Sequence, residues 1–323
     1  MVFSRILPMF FGRSTPTQKV SRVSLGIRED DHVLQENLMG HVESLVKFPR
    51  HTGNQTGMDA AAKYIQGEWE KMGYEVYEQK FKGPSGDPTE YKNLIVSFGP
   101  RDAERIVLGA HYDVRCETPG ADDNGSGIAG ILETSRLLKK HNPKLTKRID
   151  IVAYANEERP YFGTEYMGSM VHAKYLKENK IPVSGAVILE MIGYFSDEPG
   201  SQKVPAKLPG SLLKYANPSV GNFISVVGDS LTSFSLTRKV SGGIRRNSRI
   251  DVQAIPVPVS LVKDAARSDH LSYNKHGFSA VMVTDTANFR NPHYHEPTDL
   301  PKTLDRVRMA EVVKGVYKTI IKL

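Results

Sequence analysis

Several short apolar runs in this chain each lead into a histidine or an acid, and this pattern constrains the fold more than any other feature. Ile106-Val107-Leu108-Gly109-Ala110 runs into His111-Tyr112-Asp113, and Ile149-Asp150-Ile151-Val152-Ala153-Tyr154 runs into Asn156-Glu157-Glu158. Gly185-Ala186-Val187-Ile188-Leu189 stops at Glu190, and Phe278-Ser279-Ala280-Val281-Met282-Val283 leads to Asn291-Pro292-His293-Tyr294-His295. Apolar runs of this length read as buried strands, and open α/β sheets bind ligands beyond the carboxyl ends of their strands. The pattern therefore predicts an α/β fold in which His111, Asp123, one of Glu157 and Glu158, Glu190, and one of His293 and His295 meet at one edge of a sheet.

These residue types suit a metal centre. An imidazole that binds a metal must be held in one tautomer, and the carboxylate of Asp113 is expected to do this for His111 by accepting its other N–H. Two cations at roughly 3.5–4 Å repel each other and need an anion between them. Asp123, in the turn Gly120-Ala121-Asp122-Asp123-Asn124-Gly125-Ser126-Gly127, can offer one oxygen to each. Glu157 and Glu158 are adjacent and point in different directions, so one can bind metal while the other faces a water.

Simpler readings compete with each assignment. Asp122, Asn124, Ser126, Gly127 and Glu133 match the spacing of a calcium loop, but a strand precedes them where that loop needs a helix. His111 alone could be a structural histidine, Glu157-Glu158 alone an exposed helix start, and Tyr294 a packing residue beside a ligand. Ser268-Asp269-His270 suggests a serine hydrolase, yet three adjacent residues cannot form the required relay and no Gly-x-Ser-x-Gly elbow occurs.

The motifs together resemble the co-catalytic dizinc aminopeptidase family, whose relatives include glutamate carboxypeptidases and glutaminyl cyclases. The resemblance runs from about residue 30 to residue 323 and rests on His111-x-Asp113, Gly120 to Gly127, Glu157-Glu158, Glu190, Ser268-Asp269-His270 and His295. It implies a three-layer sandwich, with helices on both faces of a mixed, mostly parallel sheet of about eight strands. It also implies two Zn2+ per chain, one on His111 and Glu190, the other on Glu158 and His295, with Asp123 bridging and Glu157 as general base. The implied activity is hydrolysis of the N-terminal peptide bond of peptides with a free N-terminus, by a metal-bridging water activated by Glu157. Other activities on the same scaffold are a glutaminyl cyclase, a carboxypeptidase-like enzyme and a non-catalytic binding domain. The complete ligand set with Glu157 argues against the last.

Three positions depart from the common pattern. Most of the family places Asp where this chain has Glu190, and some aminopeptidases place an oxyanion-stabilising tyrosine where it has Ala265. Tyr294 resembles the tyrosine of the carboxypeptidase branch, which implies that it helps hold the oxyanion; the cyclases carry tryptophan there.

The ligands span residues 111 to 295 and must meet, so residues 27–323 are expected to form one catalytic domain behind a flexible tail of residues 1–26. The tail's apolar patch, Ile6 to Phe11, is shorter than a signal-peptide core of about 7–15 residues and contains a proline, which favours a cytoplasmic location over export. No stretch approaches the ~18 apolar residues of a membrane span. The net charge of +7 comes from dispersed Lys and Arg, with Arg245-Arg246 and Arg249 the tightest group, and no nucleic-acid motif accompanies it. The lone Cys116 forms no intrachain disulfide and reads as a small buried residue.

Helical spacing of Val33, Leu34, Leu38, Val42, Leu45 and Val46, and of Ala61, Ile65, Trp69 and Met72, predicts two N-terminal helices. Strands are expected at 74–80 and 92–98, a helix over 125–140, and a closing helix carrying Leu304, Val307, Val312, Val316 and Ile320. The Pro-, Gly- and Ser-rich segment 196–211 is expected to be a substrate-facing loop.

Overall fold

Among the described residues one sheet of eight strands forms, with the apolar runs at its centre: β1 (Tyr77–Lys82), β2 (Glu90–Phe98), β3 (Arg105–His111), β4 (Arg148–Tyr154), β5 (Val183–Glu190), β6 (Phe223–Asp229), β7 (Asp251–Val257) and β8 (Ala280–Thr284). A computed structural model of the chain describes residues 29–116, 118–204, 219–259 and 262–323. The expected N-terminal tail, and the part of the expected 196–211 loop from residue 205 onward, lie outside the described residues.

The strand order is β1-β2-β4-β3-β5-β8-β6-β7. The central strands β4, β3, β5 and β8 run parallel, β2 is antiparallel to both β1 and β4, and β6 is antiparallel to β8 but parallel to the edge strand β7. Register places His111 opposite Tyr154 and Glu190 opposite Thr284, so the carboxyl ends of the four central strands finish at one level. The predicted edge is therefore real, and it faces the loops that follow β3, β4, β5 and β8.

Seven helices among the described residues cover the sheet: α1 (Glu29–Leu45), α2 (Gln55–Lys71), α3 (Gly127–His141), α4 (Gly168–Glu178), α5 (Phe234–Asn247), α6 (His270–Lys275) and α7 (Arg306–Ile320). The stripe Leu34, Leu38, Val42 and Leu45 of α1 joins Met58, Ala61, Ile65 and Trp69 of α2 in one core with α3, α5 and α7 on the first face. Trp69 is fully buried, and its Nε1–H donates to Ser135 Oγ at 2.9 Å, so it contributes apolar area without stranding a donor. Shorter α4 and α6 cover the opposite face, around Ala173, Leu176 and Tyr273. Helix α3 is buried on all sides over its first nine residues, and each large aliphatic side chain buried on this face stabilises the fold by about 1.5–3 kcal/mol. None of the described helices is long and apolar enough to cross a membrane.

Several boundaries differ from expectation: Leu304 precedes the closing helix, which starts at Arg306 because Asp305 caps it by accepting the N–H groups of Val307 and Arg308. The first strand begins at Tyr77 because Gly73 and Tyr74 still close α2, their N–H groups bonding Glu70 O and Trp69 O at 2.9 and 3.0 Å. The helix expected over 125–140 begins at Gly127, because Ala121–Ser126 forms a separate tight turn ahead of it. Cys116 is exposed, contrary to the buried position expected of it, because it lies on the loop that leaves β3.

Candidate metal centre and active site

Strand ends supply the first residues of the site. His111 closes β3 and Glu190 closes β5, with His111 Nε2 lying 3.3 Å from Glu190 Oε2. Asp123 reaches the same point from the turn before α3, its Oδ1 3.4 Å from His111 Nε2. Its other oxygen, Oδ2, lies 3.2 Å from His295 Nε2, which is also 3.0 Å from Glu158 Oε1. Donor atoms of His111, Asp123 and Glu190 fall within 4.8 Å of one another, as do those of Asp123, Glu158 and His295. Asp123 is common to both trios and turns one oxygen to each.

Local backbone makes this possible. Gly120 has φ of 65°, and a Cβ there would collide with Val114 and the Asp123 carbonyl, so only glycine allows the turn to fold back under Asp123. Asp299 accepts the N–H groups of Asp122 and Asp123 at 2.9 and 3.1 Å. The buried Arg50 guanidinium donates to Leu45 O, Pro119 O and Gly120 O at 3.0, 2.8 and 2.5 Å, which fixes the approach to the turn. Asn124 ties the turn to the end of β5, donating to Leu189 O at 2.8 Å and accepting from Met191 N at 3.1 Å.

Asp113 does more than is expected of it. His111 Nδ1 lies 3.1 Å from the Asp113 backbone carbonyl and 3.5 Å from its carboxylate, so the nearer acceptor is the backbone. The carboxylate also serves another segment: Oδ1 accepts the N–H of Glu157 at 3.0 Å and Oδ2 accepts that of Glu158 at 2.9 Å. Asp113 therefore holds the segment that carries both glutamates. Glu157 belongs to neither trio, and its Oε2 stands 4.0 Å from His111 Nε2.

The Ser268-Asp269-His270 triplet divides its contacts. Ser268 Oγ donates to Glu190 Oε2 at 2.8 Å, while His270 Nε2 pairs with Ala265 O at 2.8 Å, so no serine–histidine relay exists there. Glu133, the twelfth residue of the alternative calcium loop, lies in α3 and pairs with Arg136 and His41 instead of with Asp122. Tyr294 stacks on His295 with ring centroids 3.8 Å apart at 20°, and its Oη accepts from Arg267 Nη2 at 3.0 Å. Arg50, Asp299, Arg267 and Arg115, whose Nη1 lies 2.8 Å from His295 Nδ1, are the parts of this assembly that sequence reasoning left unassigned. Asp299 alone carried a signal, its place four residues after His295.

Asp123, Glu157, Glu158 and Glu190 are 4–7 % exposed and surround two imidazoles. Burial, then the negative charges of Glu190, Glu158 and Asp269, push the Glu157 carboxyl well above the usual range, with His111 opposing. Burial likewise raises Glu158 and Glu190. Asp123 moves the other way: burial opposes its ionisation, but hydrogen bonds from His111 and His295 hold it below the ordinary value. Burial works against charge on both imidazoles too, yet the acids override it, raising His111 well above its ordinary value and His295 to about 9. Burial and the charge of Asp123 raise the Tyr294 phenol, which therefore keeps its proton. Four buried acids against two imidazoles form a cluster that is costly without added positive charge. The N and O donors suit zinc, so the residues present fit a metal centre.

Beside this cluster a cavity of about 190 Å³ opens between Glu190 and Tyr294. Its lining is mostly apolar, with Val227, Ile255, Val257 and Met282 among it, and Arg267 and Asp264 are among its polar members.

Comparison with known proteins agrees with this architecture. Residues 93–320 match Peptidase family M28. The uncharacterized protein YfbL of Escherichia coli (strain K12) is 37 % identical over 295 residues, covering 88 % of this chain and 87 % of that protein. A probable zinc metalloprotease of Pyrenophora teres f. teres is 26 % identical, covering 81 % of this chain and 59 % of its own length. Leucine aminopeptidase 1 of Trichophyton equinum is 29 % identical over 243 residues, covering 72 % of this chain and 57 % of its own length. This chain thus spans less than two thirds of those two fungal relatives. Among solved structures, the fold is similar to that of the LapA aminopeptidase of Legionella pneumophila, with TM-score 0.66, 21 % identity and coverage of 93 % and 77 %. It is equally similar to a glutaminyl cyclase of Bacteroides thetaiotaomicron, with TM-score 0.66, 19 % identity and coverage of 90 % and 98 %. With its histidines and acids carried on strand ends and loops at one edge of a mixed eight-stranded sheet, the chain belongs to peptidase family M28, a family of zinc metallopeptidases.

Proposed function

We propose that the protein is an aminopeptidase that binds two zinc ions and hydrolyses the N-terminal peptide bond of peptides with a free N-terminus. One observation carries this reading: two trios of donors share Asp123, and Glu157 stands beside them without belonging to either. His111, Glu190 and Asp123 would hold one ion, and Glu158, His295 and Asp123 the other. When bound, the ions supply Lewis acidity toward the scissile carbonyl and toward the attacking water. Glu157 takes the proton of that water at a carboxylate oxygen and returns it to the leaving amine. Asp113 keeps Glu157 in place through its backbone N–H, and Tyr294 Oη–H donates to the oxygen on which negative charge develops. The cavity beside Glu190 and Tyr294 receives the N-terminal side chain, and its apolar walls favour Leu, Met and Phe over charged residues.

The test combines metal analysis with a panel of aminoacyl aromatic amides, each free and N-acetylated. The expected result is cleavage of free-amine leucyl, methionyl and phenylalanyl amides, no cleavage of the acetylated forms, and two zinc ions per chain in the active protein. Cleavage of acetylated substrates would overturn the aminopeptidase assignment. The likeness to a glutaminyl cyclase motivates a second reading, cyclisation of N-terminal glutamine, and ammonia release from glutaminyl amides with no amide cleavage elsewhere in the panel would establish it in place of the first.

A further inference from the structure

We propose that Arg267 is a positioning residue that commits the Tyr294 hydroxyl to donating toward the substrate carbonyl. The inference rests on the reading of Tyr294 as the oxyanion donor. A guanidinium has N–H groups and no acceptor, so in the 3.0 Å contact between Arg267 Nη2 and Tyr294 Oη the phenol oxygen can only accept. Its single proton is not used in that bond. Among the described residues Tyr294 Oη has no other hydrogen-bond partner, which leaves the proton for a group entering the site.

The surroundings fix both side chains. The Tyr294 ring lies face-on against His295 at 3.8 Å, and His295 is itself directed at Asp123 and Glu158. Arg267 is held from the other side by Asn288 Oδ1 at 3.3 Å and Asp264 Oδ1 at 3.5 Å, both from its Nη1. The guanidinium thus joins three segments, the turn carrying Asp264, the turn carrying Asn288 and the segment carrying Tyr294. Ala265 has no side-chain donor to offer, so Tyr294 carries this role without help from that turn. A cation hydrogen-bonded to the phenol oxygen also strengthens the O–H as a donor.

A double-mutant cycle on the zinc-loaded full chain tests this. Tyr294→Phe should lower kcat on leucyl anilide by about 10²–10³-fold, the usual loss of one oxyanion donor. Arg267→Met should lower kcat by about tenfold or more, with KM changed less than about twofold and zinc content unchanged; Arg267→Lys should recover part of the loss, because an ammonium also only donates. In the Tyr294→Phe background, Arg267→Met should cost less than about twofold further. Losses that multiply in the double variant would overturn the inference while leaving the Tyr294 assignment standing. A loss confined to KM would overturn it as well, since it would make Arg267 a substrate-binding group. If Tyr294→Phe alone leaves kcat unchanged, the oxyanion assignment fails and the inference falls with it. Should Arg267→Met not fold, the cycle is run with Arg267→Lys, and a multiplicative result there refutes the inference equally.

Discussion

Replacing Glu157 by Gln separates catalysis from metal binding and from stability in one variant. Glu157 is in neither trio, and its Oε2 stands 4.0 Å from His111 Nε2, so the amide removes a proton acceptor without removing a ligand. The backbone is unaffected, because Glu157 is anchored through its N–H to Asp113 and not through its side chain. General-base catalysis is worth about 10²–10⁴ in rate, which is about 2.7–5.4 kcal/mol at 1.36 kcal/mol per decade, and kcat on leucyl anilide should fall by that factor with zinc content unchanged.

Stability should move in the opposite direction. A carboxyl whose folded-state pKa is raised favours the folded protein only while protonated; that contribution is present below the unfolded value and is lost as pH rises through the folded one. Burial and three neighbouring acids raise Glu157 in this way, so in metal-free protein at pH 8 its ionisation opposes folding. Gln has nearly the same volume and does not titrate. Metal-free Glu157→Gln should therefore melt above metal-free wild type at pH 8, with the difference shrinking toward pH 4.5. Differential scanning fluorimetry in EDTA reads the melting point, and stopped-time anilide hydrolysis with elemental analysis reads the rest. A kcat within tenfold of wild type at equal zinc would refute the base assignment; loss of one zinc with activity would make Glu157 a ligand instead.

Two further outcomes follow from the same geometry. Between pH 7 and 9 the metal-free protein should lose stability as pH rises, because His295 at about 9 and the raised His111 favour the folded state only while protonated; added zinc should therefore raise the melting temperature more at pH 9 than at pH 7, and an equal rise at both would contradict this. Asp113→Ala should leave the buried N–H groups of Glu157 and Glu158 without acceptors, at about 1–3 kcal/mol each, whereas Asp113→Asn keeps one acceptor oxygen and should lose about half as much; urea denaturation showing both variants within about 0.5 kcal/mol of wild type would rule the role out.

The sheet and the meeting of the strand-end residues were legible in the sequence because they depend on local periodicity. A run such as Ile106 to Ala110 is apolar on both faces, which only a central strand tolerates, and its end must then lie level with those of its parallel neighbours. The helix boundaries were less legible where a helix meets a turn, since Gly125 and Ser126 fit either state and the turn before α3 is tied to Leu189 of β5, to Ile192 and to Asp299. Arg50 and Arg267 left no trace in the pattern. Each acts on backbone or side-chain groups far away in sequence, Arg50 on Gly120 and Arg267 on Tyr294, and no periodicity or spacing encodes such a contact.

Asp113 shows why residue type fixes less than direction. Its place two residues after His111 puts its carboxylate 3.5 Å from that ring, but the spacing says nothing of the two backbone N–H groups, those of Glu157 and Glu158, that its oxygens also accept. Asp299, four residues after His295, does the same for Asp122 and Asp123. Each segment that presents a histidine thus also carries a carboxylate that clamps the backbone of a segment presenting an acid. The clamps run crosswise, from the His111 segment to Glu158 of the other trio and from the His295 segment to the shared Asp123. Two successive N–H groups on one carboxylate fix both the position and the orientation of the peptide plane between them, which a single hydrogen bond cannot do. Displacing either histidine segment would therefore move an acid as well, so the two trios must shift together. Such coupling gives four separate loops the rigidity of one element, and rigidity of that kind is what holding several buried like charges a few ångströms apart requires.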